Sequence, residues 1–330
     1  MSAPAGLLGL GSSVPSTVRR NDDPIFRAID VRASAVSAVF AGANERRVLA
    51  HGEDLIDLME AASRAALSMA GTSPSQVDRL IGYESISEHL TPNGLFLLHQ
   101  RLGLRRDVMV LPINCEFSNF LLGLSAATEA IAANRCDRAL VVCGSNWTRF
   151  VDYGKAHSVV AGDGAGAALV GPSRRLEIVD YAVETDSGTF DLWTMKARVL
   201  DGPTGRHVKV GADGLAVPTY ELARGAHPSF ASAAVESSSR LAVGLLRKNG
   251  VGPSEVTLIP HQTKALIDGW NKAIQPREVL HTFDSLGNMS HASIPVTLAM
   301  RAGEIRTPYV LLMAAGTGSH FAAMLLRTGP

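Results

Sequence analysis

Two segments that lie far apart in the chain repeat one sequence pattern. Residues 53–83 read "EDLIDLMEAASRAALSMAGTSPSQVDRLIGY" and residues 229–260 read "SFASAAVESSSRLAVGLLRKNGVGPSEVTLIP". Each is an alanine- and leucine-rich helical pattern, then a glycine-containing turn, then Pro-Ser-x-Val and a short apolar run with Leu-Ile. A Pro-Ser pair after a turn suits a short helical turn that leads into a strand. The pattern therefore predicts one helix–turn–strand unit used twice.

A second pair of segments repeats in the same order. The stretches "GDGAGAALVG" (162–171) and "GTGSHFAAMLL" (316–326) are both glycine-rich turns that open into an apolar strand. Each also follows an apolar run, residues 138–145 in the first case and 308–316 in the second. Two repeats in one order favour an internal duplication over a chance match of similar units.

The repeats divide the chain into two predicted halves, residues 1–172 and residues 173–330. Alternating strands and helices predict an α/β protein with parallel sheets that are covered by helices on both faces. Residues 184–225 interrupt this rhythm because they are polar and rich in glycine. We expect them to form an insertion or cap loop within the second half.

A single cysteine lies at a predicted turn between a strand and a helix. The run "DVMVLPI" (107–113) is short, apolar and typical of a buried strand. Apolar side chains then recur at helical spacing at Phe117, Phe120, Leu121, Leu124, Ala127 and Ile131. Unpaired N–H groups at a helix start lower the pKa of a nearby thiol, which would make Cys115 a nucleophile. The alternative is that Cys115 is a small core residue.

Two later turns offer partners for a reactive thiol. His261 follows a predicted strand in "VTLIPHQTKALIDGW", and Asn288 lies in a Gly-Asn turn of "FDSLGNMSHASIPVTLAM". Turns at the carboxyl ends of parallel strands converge on one crevice, so Cys115, His261 and Asn288 form a plausible cluster. Taken singly, His261 could be a satisfied half-buried histidine and Asn288 a plain turn residue. His291 and His320 remain alternative bases.

The motif "GDGAGA" does not have the spacing of a phosphate-binding loop. It fits neither GxGxxG nor GxxxxGK[ST]. We interpret it as a tight turn where backbones pack closely.

Composition narrows the classes of partner. The chain has 31 Lys and Arg against 31 Asp and Glu and only 5% aromatic residues, which argues against a nucleic-acid or anionic-membrane partner. Three cysteines without paired spacing favour a reducing compartment, and we expect a cytoplasmic protein. No metal-ligand motif occurs among the ten histidines, so we expect no metal site. We also expect neither a signal peptide nor a membrane-spanning helix.

The motifs together resemble those of a known enzyme group. Asn-Cys before an alanine-rich helix, "GDGAGAALV", "IPHQT", "GNMSHAS" and "GTGSHFAAMLL" occur in the order found in the beta-ketoacyl carrier-protein synthase III group of thiolase-fold condensing enzymes. The resemblance covers residues 75–171 and 230–326. It implies a five-layered αβαβα fold of two similar halves and a homodimer.

The resemblance also implies a reaction. Cys115 would take an acyl group from a thioester, with the backbone N–H groups of Cys115 and Thr317 as the oxyanion hole. His261 and Asn288 would stabilise the enolate of a malonyl- or beta-ketoacyl-carrier protein that then condenses with the acyl group. The acyl carrier protein would be the partner, and no separate cofactor would be needed because the substrates are phosphopantetheine or coenzyme A thioesters.

Four positions depart from the pattern of that group. Val36 and Phe40 stand where the group has coenzyme A contacts, which suggests delivery by a carrier protein. Glu116 replaces a small residue beside the nucleophile and would lie in the substrate pocket without an assigned role. Thr91 replaces a phenylalanine that closes the acyl pocket of the partner subunit, which predicts a longer acyl chain unless neighbouring side chains fill the gap.

The sequence therefore favours a ketosynthase III-like acyltransferase, of a specialised polyketide pathway or of fatty-acid biosynthesis. An acyltransferase or thioesterase that stops after the acyl-cysteine step is the alternative. A non-catalytic partner subunit is a third reading, which the joint presence of Cys115, His261 and Asn288 disfavours.

Overall fold

The computed structural model describes residues 4–27, 29, 42–87, 91–115, 117–151, 153–197, 199–202, 205–208, 218–222, 226–261 and 263–329, with side chains described except at 189 and 191–231. The strands are β1 (Ala5–Ser13), β2 (Val18–Arg20), β3 (Glu45–Arg47), β4 (Arg79–Glu84), β5 (Met109–Pro112), β6 (Ala139–Ser145), β7 (Gly164–Pro172), β8 (Glu177–Thr185), β9 (Trp193–Ala197), β10 (Val199–Gly202), β11 (Gly205–Val208), β12 (Pro218–Leu222), β13 (Val256–Pro260), β14 (Glu278–Val279), β15 (Tyr309–Gly316) and β16 (His320–Arg327). The α-helices are α1 (Leu55–Met69), α2 (Gly94–Leu102), α3 (Asn119–Ala132), α4 (Ala226–Lys248), α5 (Lys264–Ile274), α6 (Phe283–Leu286) and α7 (Ser293–Arg301).

Ten strands form one sheet whose two halves have the same order. The order is β14-β13-β15-β16-β8-β1-β7-β6-β4-β5, so β8, β16, β15, β13 and β14 correspond to β1, β7, β6, β4 and β5. Counted from the centre of the sheet outward, each half has two antiparallel strand pairs followed by two parallel strand pairs. The halves join where Gly6 pairs with Glu177. The predicted boundary at residue 172, which stays a prediction, lies between β7 and β8.

The sheet is mixed, whereas the alternating elements predicted parallel sheets. β15 and β16 are antiparallel because only Thr317–Ser319 connect them, too short a segment for the crossover that a parallel pair requires. The predicted buried strand at residues 107–113 is also less buried than expected. β5 is the last strand in the sheet order, and Met109 is 51% exposed in this chain.

The helices complete five layers. α3 and α7 contact strands of both halves and lie between them. α1 and α2 cover the outer face of the first half, and α4 and α5 cover the outer face of the second half. In the predicted insertion, the described strands pair as β9 with β12 and β10 with β11.

The repeated sequence pattern corresponds to repeated structure. The first copy gives α1, a 3-10 turn at Pro74–Gln76 and β4; the second gives α4, a 3-10 turn at Pro253–Glu255 and β13. In both 3-10 turns the third residue, Gln76 or Glu255, accepts a hydrogen bond from the backbone N–H that precedes the proline. The helix–turn–strand prediction is thus confirmed in both halves.

Glycines in β1 allow α1 to pack directly on the sheet. A Cβ atom at Gly11 would lie 2.1 Å from the carbonyl oxygen of Ala62 and 2.6 Å from the N atom of Ala66. Backbone atoms of a packed helix cannot move aside cheaply. A glycine is therefore required at this point of contact between sheet and helix.

We predict opposite effects of one chemical change at two glycines. Gly11→Ala should lower the free energy of unfolding by about 1–3 kcal/mol, because the added methyl overlaps the backbone of α1. Gly244→Ala should raise the free energy of unfolding by about 0.5–1 kcal/mol, because alanine stabilises a helix relative to glycine. An added Cβ there has nothing within 4 Å. Urea unfolding of the two variants measures both changes, and equal signs would contradict the packing described here.

Candidate active site

Two of the three catalytic candidates, Cys115 and Asn288, occupy equivalent places in the two halves. Cys115 lies between β5 and α3, and Asn288 lies between β14 and α7. Because β5 corresponds to β14, and α3 and α7 share the middle layer, the duplication places both residues at the centre of the molecule. His261 directly follows β13, the strand next to β14.

The turn that carries Cys115 has an unusual backbone. The N–H of Ser118 donates to the carbonyl oxygen of Cys115 at 2.9 Å, which closes the turn. Phe117 within this turn has a φ of 68°, in the left-handed region that favours glycine. Phe117 therefore precedes α3 rather than belonging to it, which corrects the predicted helix start. A large residue in this conformation costs about 1–3 kcal/mol, which the surrounding contacts must offset.

The Phe117 ring brings the nucleophile turn to His261. The two rings stack with centroids 4.5 Å apart and planes 19° apart. The backbone N–H of His261 donates to the carbonyl oxygen of Met313 at 2.7 Å, which fixes the end of β13 against β15. His261 is thereby held between the Cys115 turn and the adjacent strand.

Burial keeps His261 neutral. Burial lowers the pKa of His261 to about 4, although the Asn288 side chain and the Ala315 backbone act weakly in the opposite direction. Among the described residues, neither ring nitrogen makes a hydrogen bond of ordinary geometry. A neutral imidazole has one N–H, which can donate a hydrogen bond to a substrate oxygen.

The amide of Asn288 is oriented by its own turn. The backbone of Asn288 pairs with Val160 and Gly162, at 2.7 Å and 3.0 Å. Its Oδ1 accepts the N–H of Ser290 at 2.8 Å. Because the Ser290 N–H is a donor, the amide atom that faces it must be the oxygen, Oδ1. The Nδ2 group can then donate to another acceptor. Asn288 and His261 together present two neutral hydrogen-bond donors.

The two alternative histidines have different environments. His291 is buried, and its Nδ1 accepts the N–H of Phe117 at 3.2 Å. Burial and, to a smaller extent, the nearby His261 lower the pKa of His291 to about 3. His320 lies at the start of β16, where Nδ1 is 2.7 Å from the Oγ1 of Thr185. Of the two, the structure brings His291 to the Cys115 turn.

The remaining predicted site residues fall in three groups. Thr317 begins the short turn after β15, next to the strand end that holds His261, and its oxyanion role stays a prediction. Thr91 is exposed just ahead of α2, and its place in an acyl pocket stays a prediction. Glu116, Val36 and Phe40 lie outside the described residues.

Other parts of the protein occupy the space around the "GDGAGA" motif. A Cβ at Gly162 would lie 2.1 Å from the carbonyl oxygen of Leu286. The buried Asp163 accepts the N–H groups of Leu49 and Thr148 at 2.8 and 2.9 Å. A buried carboxyl at the centre of the motif would repel a phosphate, so the close-packing interpretation is confirmed.

Sequence reasoning missed the conformation of Phe117 and its stacking on His261. It named His291 only as an alternative base. The sequence does not indicate the positive φ of Phe117, because the residue that normally indicates this conformation is a glycine. For His291 a signal existed, since it follows Asn288 by three residues within one turn and therefore had to lie near the site.

Comparisons with known proteins identify the family of this chain. Residues 112–187 match the family model for 3-oxoacyl-[acyl-carrier-protein (ACP)] synthase III, and residues 246–328 match the model for its C-terminal part. The chain is 31% identical to a beta-ketoacyl-acyl-carrier-protein synthase III of Alkalilimnicola ehrlichii, over 98% of this chain and 99% of that protein. It is 28% identical to the enzyme of the same name from Coxiella burnetii, over 98% and 99%.

Solved structures show the same fold. The 3-oxoacyl-acyl-carrier-protein synthase III of Aquifex aeolicus superposes with a TM-score of 0.82 at 24% identity, covering 98% of this chain and 99% of that one. The priming beta-ketosynthase of a polyketide biosynthetic pathway superposes with a TM-score of 0.86 at 22% identity, covering 99% and 97%. Both support the five-layered thiolase fold that the motifs predicted. The full-length relationship at 31% identity shows that the chain belongs to the beta-ketoacyl-acyl-carrier-protein synthase III family.

Proposed function

We propose that this chain is an acyltransferase that forms carbon–carbon bonds, with Cys115 as the acyl carrier and His261 and Asn288 as the donors that assist decarboxylation. The observation that carries the proposal is the pair of neutral donors beside the nucleophile turn. His261 is buried and uncharged at neutral pH, and the Asn288 Oδ1 accepts the Ser290 N–H, so that Nδ2 is the donor of this amide. Such a pair stabilises a developing oxyanion without repelling it.

The first half-reaction would load the enzyme. The Cys115 thiolate attacks the carbonyl carbon of an acyl thioester and forms a new carbon–sulfur bond. The carbon–sulfur bond to the carrier breaks, and the carrier leaves as a thiolate. The negative oxygen of the intermediate would accept the backbone N–H groups of Cys115 and Thr317. The acyl group then remains on Cys115 as a thioester.

The second half-reaction would make the carbon–carbon bond. A malonyl thioester loses carbon dioxide, and the electron pair of the broken carbon–carbon bond moves into an enolate. His261 and Asn288 each donate a hydrogen bond to the enolate oxygen. The enolate carbon attacks the acyl group on Cys115, and the thiolate of Cys115 is released.

The expected partners are an acyl carrier protein that brings the malonyl group and a second copy of this chain. β5 supports a homodimer, because among the described residues it pairs only with β4, and its outer edge can pair with another copy. No helix in the described ranges is long and apolar enough to cross a membrane. The cytoplasmic location and the lack of a separate cofactor stay predictions.

Intact-mass measurement tests the function directly. After incubation with acyl thioesters, the wild type should gain the mass of one acyl group, and Cys115→Ala should gain none while keeping its circular dichroism spectrum. Addition of a malonyl carrier protein should then remove the acyl group and yield a beta-ketoacyl product. Loss of the adduct without that product would indicate simple transfer or hydrolysis, and no adduct at all would contradict the enzyme assignment.

Asn288→Asp should separate the two half-reactions. The aspartate keeps an oxygen for the Ser290 N–H, so the turn should survive, but it loses the donor and adds a charge beside the enolate. We expect malonyl decarboxylation to fall by about 100- to 1000-fold, while loading of Cys115 changes little. Carbon dioxide release and acyl-adduct formation measure the two steps. Equal losses in both would assign Asn288 to folding or binding instead.

Burial of a neutral His261 should make stability depend on pH. The unfolded histidine binds a proton below a pKa of about 6.5, whereas the folded pKa is lowered to about 4. Between these values the unfolded state holds more protons, so His261 lowers the free energy of unfolding as pH falls, by up to about 3 kcal/mol at pH 4.

The comparison between wild type and His261→Phe isolates this contribution. Asp163, whose pKa burial raises to about 6, changes stability in the opposite direction, but it is common to both proteins. Urea unfolding at pH 7.5, 6, 5 and 4 should therefore show a smaller loss in His261→Phe. Parallel curves would mean that His261 has the same pKa in the folded and the unfolded protein.

A further inference from the structure

His291 contacts the nucleophile turn at two points. Its Nδ1 accepts the N–H of Phe117 at 3.2 Å and also lies 2.8 Å from the Oδ1 of Asn119, the first residue of α3. Asn119 in turn donates through Nδ2 to the carbonyl oxygen of Ile113 at 2.8 Å. These contacts bracket Cys115 on both sides, because Ile113 precedes it and Phe117 and Asn119 follow it.

Four rings continue from this contact as one column. The ring of Tyr83 meets His291 edge-on at 4.6 Å between centroids. His291 stacks on Phe117 at 5.8 Å, and Phe117 stacks on His261 at 4.5 Å. The column connects β4, the turn before α7, the Cys115 turn and the end of β13. A displacement of His291 would therefore shift the Phe117 ring and, through it, the position of His261.

The proton position on His291 selects between its two partners. An unprotonated Nδ1 accepts the N–H of Phe117, whereas a protonated Nδ1 donates to the Oδ1 of Asn119. Asn119 cannot exchange its amide atoms to suit, because its Nδ2 is committed to the carbonyl of Ile113. In either form His291 ties a backbone or side-chain group of the turn to α7.

We infer that His291 is a positioning residue that holds the Cys115 turn in its left-handed conformation and keeps the Phe117 ring against His261. The inference deepens the proposed function, because it explains how the nucleophile and the donor histidine keep a fixed geometry. The turn needs such support, since Phe117 stores backbone strain that glycine would not. His291 takes no proton from substrate in this role; it acts through Phe117.

Two substitutions distinguish the contribution of the His291 ring from the contribution of its hydrogen bond. His291→Phe keeps an aromatic ring in the column and removes Nδ1. His291→Asn removes the ring and places an amide near the position of Nδ1, where it can accept or donate. A control for loss of a buried hydrogen bond is Trp270→Phe, because Trp270 Nε1 donates to the Oγ of Ser238 at 2.6 Å in the outer layer.

Two measurements on the full chain report the geometry. The first is the rate of Cys115 acylation by an acyl thioester, followed by intact mass. The second is the pKa of His261, followed by NMR titration of histidine-labelled protein. We expect His291→Phe to slow acylation by about 10- to 100-fold. We also expect the pKa of His261 to rise in this variant, as Phe117 leaves its face and water enters.

The proposal requires His291→Asn to restore acylation and the His261 pKa toward wild-type values, and Trp270→Phe to leave both unchanged. It is overturned if His291→Phe keeps the wild-type His261 pKa, or if the two His291 variants behave alike. If the wild type itself forms no acyl adduct, the proposed function fails, but the NMR titration still decides whether His291 positions the turn.

Discussion

Burial of α3 and α7 between the two halves of the sheet is the constraint on which the rest of the structure depends. Phe120, Leu124 and Ala127 on α3 are at most 1% exposed, and Val296 and Leu298 on α7 are fully buried. A helix buried between two halves of a sheet has no freedom to shift along its axis. The turns at the starts of these helices are therefore fixed, and they are the turns that carry Cys115 and Asn288.

The same burial governs the charges. Desolvation lowers the pKa of His261 and raises the pKa of Asp163 and of the Cys143 thiol, because each group loses the water that stabilises its charged form. At His261 the effect suits the proposed role, since a neutral donor does not repel a developing enolate. The N–H groups of Leu49 and Thr148 donate to the buried carboxyl of Asp163 and partly offset its loss of water, and Asp163 thereby connects two loops.

The two copies of the duplicated turn carry different functional groups. Phe117 and Ser290 each follow the key residue of their half by two positions, and both have a positive φ, 68° and 51°. One backbone turn therefore presents a thiol in the first half and an amide in the second. His291 belongs to the second copy of the turn and contacts the first, which is how the two copies are held against each other.

The sequence by itself determined the repeated units, the strand-to-helix turns and the residues at them, because apolar periodicity and turn chemistry are local properties. It identified Cys115, His261 and Asn288 as candidates, since each follows a strand, and the structure brings the last two together beside the turn of the first. It could not show that β16 returns antiparallel or that Phe117 is left-handed. Those features, and the neutrality of His261, were decided by tertiary structure, because they depend on which distant groups a side chain meets and how much water they exclude.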